Sequence, residues 1–228
     1  MSTSTVSTDV LITAKRHRLP GQLVVPPNAP GVVVFAHGSG SSRLSPRNRQ
    51  VAMWLNERGC ATLLFDLLTE EEAANRNNVF DIPLLGRRVV AATSWLREQA
   101  EVGALPVAYF GASTGAAAAL VAASELGDGV AAVVSRGGRV DLAGDALPRV
   151  VAPTLLLVGS LDGVVLDLNR TAIERMRCTT RLVIVPGASH LFEEPGTLER
   201  VADEAGTWFV NAFRTARSPG HRSCDPDA

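Results

Sequence analysis

Short aliphatic and β-branched runs recur along the chain at Val32–Phe35, Ala61–Phe65, Val107–Phe110, Val130–Val134, Thr154–Val158 and Leu182–Val185. Each is apolar on both faces and bounded by polar or turn residues, which predicts strands buried within a sheet. The segments between them carry helical periodicity instead. Ile82, Leu85, Val89, Ala92 and Leu96 step by three and four after Asp81, a capping residue. Leu198, Val201, Ala205, Trp208 and Ala212 repeat the pattern near the end. Ser45-Pro46 reads as an N-cap with proline at the first helical position, and Gly59 closes that helix. Trp54, Trp95, Trp208, Met53 and Met176 read as packing side chains. Strand and helix in this alternation predict right-handed βαβ crossovers, hence an α/β fold with a mostly parallel central sheet and helices on both faces. Residues 8–25, with Pro20-Gly21 between two apolar stretches, predict an antiparallel lead-in hairpin. One domain over residues 1–214 is expected, with residues 215–228 a disordered C-terminal tail.

Composition narrows the function classes. Of 228 residues, 46% are hydrophobic and 20% charged, enough apolar side chain for one sizeable core and too much for a disordered or fibrous chain. Apolar runs such as Val32–Ala36 and Leu155–Val158 are far short of a membrane span, and the start has neither a basic region nor an apolar core. A cytoplasmic location is expected. With 22 basic and 23 acidic residues, nothing draws the chain toward nucleic acid or an anionic membrane. Lys15 is the sole lysine, which fits codon usage in a GC-rich bacterial genome and excludes a lysine-dependent P-loop, Schiff-base site or Ser–Lys dyad in the body of the chain. Cys60, Cys178 and Cys224 are unclustered, which argues against a disulfide framework or zinc site and fits a reducing compartment. No metal or organic cofactor is expected, and the oligomeric state is not encoded in any pattern we recognise.

The chemistry gathers where the strands end. Val107–Phe110 runs into Gly111-Ala112-Ser113-Thr114-Gly115 and then a helical stretch: G-x-S-x-G between strand and helix, the arrangement of a nucleophile elbow. A serine is a poor nucleophile without a base that is itself held by an acid. Asp162 follows the Thr154–Val158 strand, and His190 follows Leu182–Val185, giving the order nucleophile, acid, base on three later strand-end loops. Asp167 is the alternative acid but falls about a turn into the next helix. His17 lies in the basic hairpin and His221 in the tail. An oxyanion hole needs two backbone donors. Thr114 supplies one, and the loop His37-Gly38-Ser39-Gly40-Ser41 supplies the other, assigned to the Ser39 amide with Gly40 as its neighbour alternative. His37 is then an orienting group, and His37, Gly38, Gly40 and Arg136 are candidate substrate contacts. Gly38-x-Gly40-x-x-Arg43 half-matches a dinucleotide fingerprint but lacks its third glycine.

These residues resemble the α/β-hydrolase superfamily and, within it, the small lidless dienelactone hydrolase-like group, over about residues 8–213. Beyond the Ser113, Asp162 and His190 motifs, the resemblance rests on Phe65-Asp66-Leu67-Leu68-Thr69, Phe80-Asp81-Ile82-Pro83-Leu84-Leu85, Ser135-Arg136-Gly137-Gly138-Arg139 and the run from Pro186 to Gly196. It implies an α/β-hydrolase fold without a large lid, and hydrolysis of a small soluble ester through an acyl-enzyme. Some relatives carry a fused phosphoribosyltransferase domain, to which nothing here corresponds. One departure stands out: authentic dienelactone hydrolases use cysteine at the elbow, and this chain has Ser113. The 17 residues from Arg136 to Ala152 leave no room for the long lid of a lipase. Arg136, Arg139 and the Glu70–Glu72 segment either serve a carboxylate-bearing substrate or, the favoured reading, pair with surface charges such as Asp141 and Asp145. Acyl transfer to a non-water acceptor, perhydrolysis, and a non-catalytic binding protein on the same scaffold are the rival readings.

Overall fold

A computed structural model of the chain describes residues 4–217. Eight strands form one sheet: β1 (Val6–Ala14), β2 (His17–Val25), β3 (Val32–Ala36), β4 (Ala61–Phe65), β5 (Val107–Ala112), β6 (Val133–Arg136), β7 (Thr154–Gly159) and β8 (Thr180–Val185), in the order β1-β2-β4-β3-β5-β6-β7-β8. β1 and β2 are antiparallel to each other and β2 to β4, while every pairing from β4 to β8 is parallel. The central strands are buried along their whole length because helices cover both faces. On one face lie α1 (Pro46–Glu57) and α7 (Thr197–Arg217), packing Val51, Leu55, Val201, Phe209 and Phe213 onto Val33, Phe35 and Phe110. On the other lie α4 (Ile82–Arg97), α5 (Thr114–Leu126) and α6 (Gly163–Arg175). The polar excursion after β4 forms two short helices, α2 (Glu70–Ala74) and α3 (Arg76–Val79). Between β6 and β7 the chain makes only 3₁₀ turns over Val140–Arg149, so no lid rises over the sheet among the described residues.

The expected caps form. Ser45 Oγ accepts from the Asn48 amide, and Asp81 Oδ1 from the Leu84 amide. Several expectations need correction. The lead-in hairpin turns at Lys15-Arg16, with Lys15 at φ 56°, and Pro20-Gly21 sits inside β2. Pro20 still accepts from the Asp66 amide, and Gly21 lets β2 approach β4, where a Cβ would stand 3.1 Å from Phe65 Cβ. The sixth strand is Val133–Arg136, not Val130–Val134: its register against β5 and β7 begins at Val133 and carries the buried polar residues Ser135 and Arg136. Met53 is exposed, not a core filler. The C-terminal helix continues through Thr215–Arg217, where Arg217 donates to the Ala29 carbonyl, so residues 215–217 are not tail; residues 218–228, with Cys224 and His221, lie outside the described residues. Among the described residues, no helix is long and apolar enough to cross a membrane.

Candidate active site

The carboxyl ends of β5, β7 and β8 point the same way, and each delivers one of the predicted groups. Ser113 follows β5 at φ 51°, ψ −124°, a conformation that a residue with a side chain adopts only under strain. The neighbouring glycines are required by close approach. A Cβ on Gly115 would lie 2.1 Å from the Ala36 carbonyl oxygen, and one on Gly111 would lie 2.4 Å from Ala116 Cα. Both obstacles are backbone, so the elbow can wedge between β3 and α5 only with glycine at these two places. The Ser113 hydroxyl takes no hydrogen-bond partner among the described residues, and it sits at the positive end of α5.

His190 Nδ1 lies 2.6 Å from Asp162 Oδ2. The Asp162 carboxylate is nearly buried and His190 is more open, at 13% and 38% side-chain exposure. Asp162 stands at the N-cap position of α6 yet makes no capping hydrogen bond, so its carboxylate is committed to the imidazole. With Nδ1–H donating to the acid, Nε2 carries the lone pair, the tautomer a general base needs. Asp167, the rival acid, is exposed and paired with Arg170. The loop bearing His190 is itself held: the Ser189 amide donates to Glu194 Oε2, which keeps that carboxyl below its ordinary range, and Phe192 turns inward at φ 56° to lie buried.

The loop after β3 packs against the elbow, but one predicted donor is occupied. The Ser39 amide donates to Thr114 Oγ1 at 2.8 Å, whereas the Thr114 amide has no partner among the described residues. An oxyanion bound by both amides would therefore displace the Thr114 hydroxyl. His37 spends both ring nitrogens on backbone groups. Its Nδ1 donates to the Gly38 carbonyl, and its Nε2 accepts from the Leu67 amide, tying the loop after β3 to the loop after β4. Burial lowers its pKa below 6.5, against the Gly38 hydrogen bond and the Asp66 charge, which raise it. A folded pKa below the unfolded one means that the unfolded chain takes up the proton the folded chain refuses. Stability should thus fall as pH drops below the ordinary imidazole value. Denaturant unfolding between about pH 8 and about pH 5 should show this slope, flattened in His37→Gln. An equal slope in the variant would place the effect elsewhere.

Arg136 does not sit as a surface cation. It is buried on the α1 face, donating from Nη2 to Asn48 Oδ1 at 3.3 Å and lying 5.7 Å from the Phe192 ring centroid. Among the described residues no carboxylate pairs with it and its Nε has no partner, and burial, aided by the Arg47 charge, brings its pKa down to about 10. Arg139 pairs with Asp141, and Asp145 with Arg175. Glu72 closes a capping box with Thr69 and pairs with Arg88 and His17. The Ser135–Arg139 segment has a role that the sequence did not disclose. The Arg139 amide donates to the Ser113 carbonyl, the Ser113 amide donates to the Arg136 carbonyl, and Gly137 at φ 53° lies against His190. Its backbone holds Ser113 and lies against His190; two glycines beside a strand end were the only available signal.

His37, Gly38, Ser39 and Gly40 line a cavity of about 410 Å³, closed on the other side by Leu67, Leu68, Ala73 and Val79. A Cβ on Gly38 would stand 3.1 Å from Ser113 Cβ, so the cavity abuts the elbow. Arg136 does not line it. A second cavity of about 670 Å³, between the β1–β2 turn and α4, contains none of the predicted site residues. Among the described residues, no cluster of His, Cys, Asp or Glu could hold a metal ion.

The profile of the dienelactone hydrolase family matches residues 19–210. A crystal structure of a dienelactone hydrolase from Anabaena variabilis superimposes with a TM-score of 0.89 at 53% identity, covering 91% of this chain and 98% of that one. A Mycobacterium tuberculosis protein bearing the name "Putative phosphoribosyl transferase" is 61% identical over 191 residues, 84% of this chain and 43% of its own length. The chain thus spans less than half of the curated relatives it matches. Est1E from Butyrivibrio proteoclasticus shares the fold at a TM-score of 0.76 and 16% identity, over 90% and 99% of the two chains.

Proposed function

The chain belongs to the dienelactone hydrolase family, and we propose that it is a serine hydrolase of small soluble carboxylic esters, working through Ser113, His190 and Asp162. The observation that carries this reading is the 2.6 Å hydrogen bond between Asp162 and His190, set on strand-end loops beside a serine in strained elbow geometry. His190 Nε2 takes the Ser113 proton as Oγ attacks the ester carbonyl, and the negative charge settles on the carbonyl oxygen facing the Thr114 and Ser39 amides. Collapse of that intermediate breaks the bond to the alcohol oxygen, which receives the proton from His190. Water, deprotonated by the same imidazole, then attacks the acyl-enzyme; the acid leaves and Ser113 recovers its proton. Asp162 holds the tautomer and stabilises the imidazolium throughout. Acid and alcohol are the only products, with water the only co-reactant.

The dienelactone hydrolase at 53% identity supports the reaction class, and structures described as esterases share the fold. The cytoplasmic assignment is also part of this proposal, supported by Cys60, which is buried with its thiol pushed up to about 11, and by Cys178, which is free. The partner is a small-molecule ester.

A fluorophosphonate probe tests the reading directly. It should add one adduct to the intact protein, mapped by peptide mass to Ser113 and lost after Asp162→Asn or His190→Ala. Labelling at another residue, or none, would overturn it.

A further inference from the structure

We infer that the 410 Å³ cavity beside the elbow is the acyl pocket and that it selects uncharged, apolar acyl groups against carboxylate-bearing ones; the inference rests on the serine esterase reading above. The direction follows from the strand order. His190 must protonate the departing alcohol, so the alcohol lies on the β7–β8 side of Ser113, and the acyl group lies opposite, over β3 and β4. The cavity opens there, between the loop after β3 and the α2–α3 excursion.

Its walls are apolar at Leu44, Leu67, Leu68, Val79 and Leu85. Its charges are three. Arg43 is the only cation lining it among the described residues, and Asp66 holds that guanidinium and the Arg43 amide by two hydrogen bonds of 2.6 and 2.7 Å. Glu70 is the third, exposed, with no ion pair among the described residues. His37 is neutral and spends both ring nitrogens on backbone. The lining therefore bears a net negative charge and offers an incoming carboxylate no free donor cation. Arg16 and Arg18 lie beyond Glu70 along an adjoining groove, without an ion pair to it. Arg136, buried against Asn48 and Phe192, faces the α1 side. A carboxylate entering the cavity would lose water and meet like charge, while an alkyl chain would bury against leucines.

The test uses two esters of equal acyl length and one leaving group: p-nitrophenyl hexanoate and the p-nitrophenyl monoester of adipic acid. Rates are taken with Ser113→Ala as background. The neutral ester should have the higher kcat/KM by about tenfold or more, the scale of one unpaired like charge near a protein surface. In Glu70→Gln that ratio should shrink several-fold. Equal rates, or preference for the anionic ester, would overturn the inference while leaving the serine esterase intact; loss of that anionic preference in Arg136→Gln would then identify the cation responsible. An unchanged ratio in Glu70→Gln would also count against it. No Ser113-dependent turnover of either ester, with no fluorophosphonate adduct, would bring down the esterase reading and the pocket with it.

Discussion

Ser113→Ala should lower kcat for p-nitrophenyl butyrate by roughly 10³-fold or more, since the nucleophile of a serine triad cannot be replaced by its partners. Folding should hardly notice. The hydroxyl makes no hydrogen bond among the described residues, and alanine keeps the Cβ, so the strain at φ 51° neither grows nor disappears. Thermal unfolding should shift by no more than the equivalent of about 0.5 kcal/mol. Ser113→Gly separates the two effects: it is equally inactive, yet it relieves the positive φ and should gain on the order of 1 kcal/mol in stability. Paired kinetics and calorimetry on the three proteins measure this. Activity persisting in Ser113→Ala would mean that another residue attacks the ester.

Asp162→Asn carries the second large effect. Among the described residues the carboxylate has one hydrogen-bonded partner, His190 Nδ1, and it contributes no cap to α6. The amide can occupy the same space, but turning its NH₂ toward the ring favours the tautomer with its proton on Nε2. The base would then present a proton to Ser113 instead of a lone pair. In serine proteases the equivalent exchange lowers kcat by about 10⁴, and a loss of similar order is expected here, in kcat and not in KM. The Asp162 backbone amide bond to the Gly159 carbonyl survives the exchange, so the unfolding transition should stay sharp. A loss of only a few-fold would show that His190 is oriented by something else, and Asp167→Asn, at an exposed residue paired with Arg170, serves as the control.

What could be read from the sequence was set by how local its cause is. The elbow residues sit in five consecutive positions because a sharp strand-to-helix turn demands small neighbours, and Asp162 and His190 stand immediately past apolar strands. The α/β class was legible for the same reason, since buried parallel strands read as short apolar runs. Pairing across the sheet was not. Pro20-Gly21 has the composition of a turn, and only the register of β2 against β4 shows why that dipeptide lies in a strand. Ser135 and Arg136 broke the apolar run that marks β6, although their burial comes from elements far along the chain: Asn48 on α1 and Phe192 beyond β8. The Thr114 hydroxyl on the Ser39 amide is likewise a contact across 75 residues, with no trace in either segment's composition.

His190 is carried just past β8, a strand that pairs with β7 alone at the edge of the sheet. His190 meets Asp162 only once β8 has paired with β7, so their contact needs that edge of the sheet in place. Recovery of esterase activity should therefore lag behind the return of helical signal in a refolding experiment. Catalysis would mark completion of the last edge of the sheet, and a chain halted with β1 to β7 assembled would look largely native by circular dichroism while hydrolysing nothing.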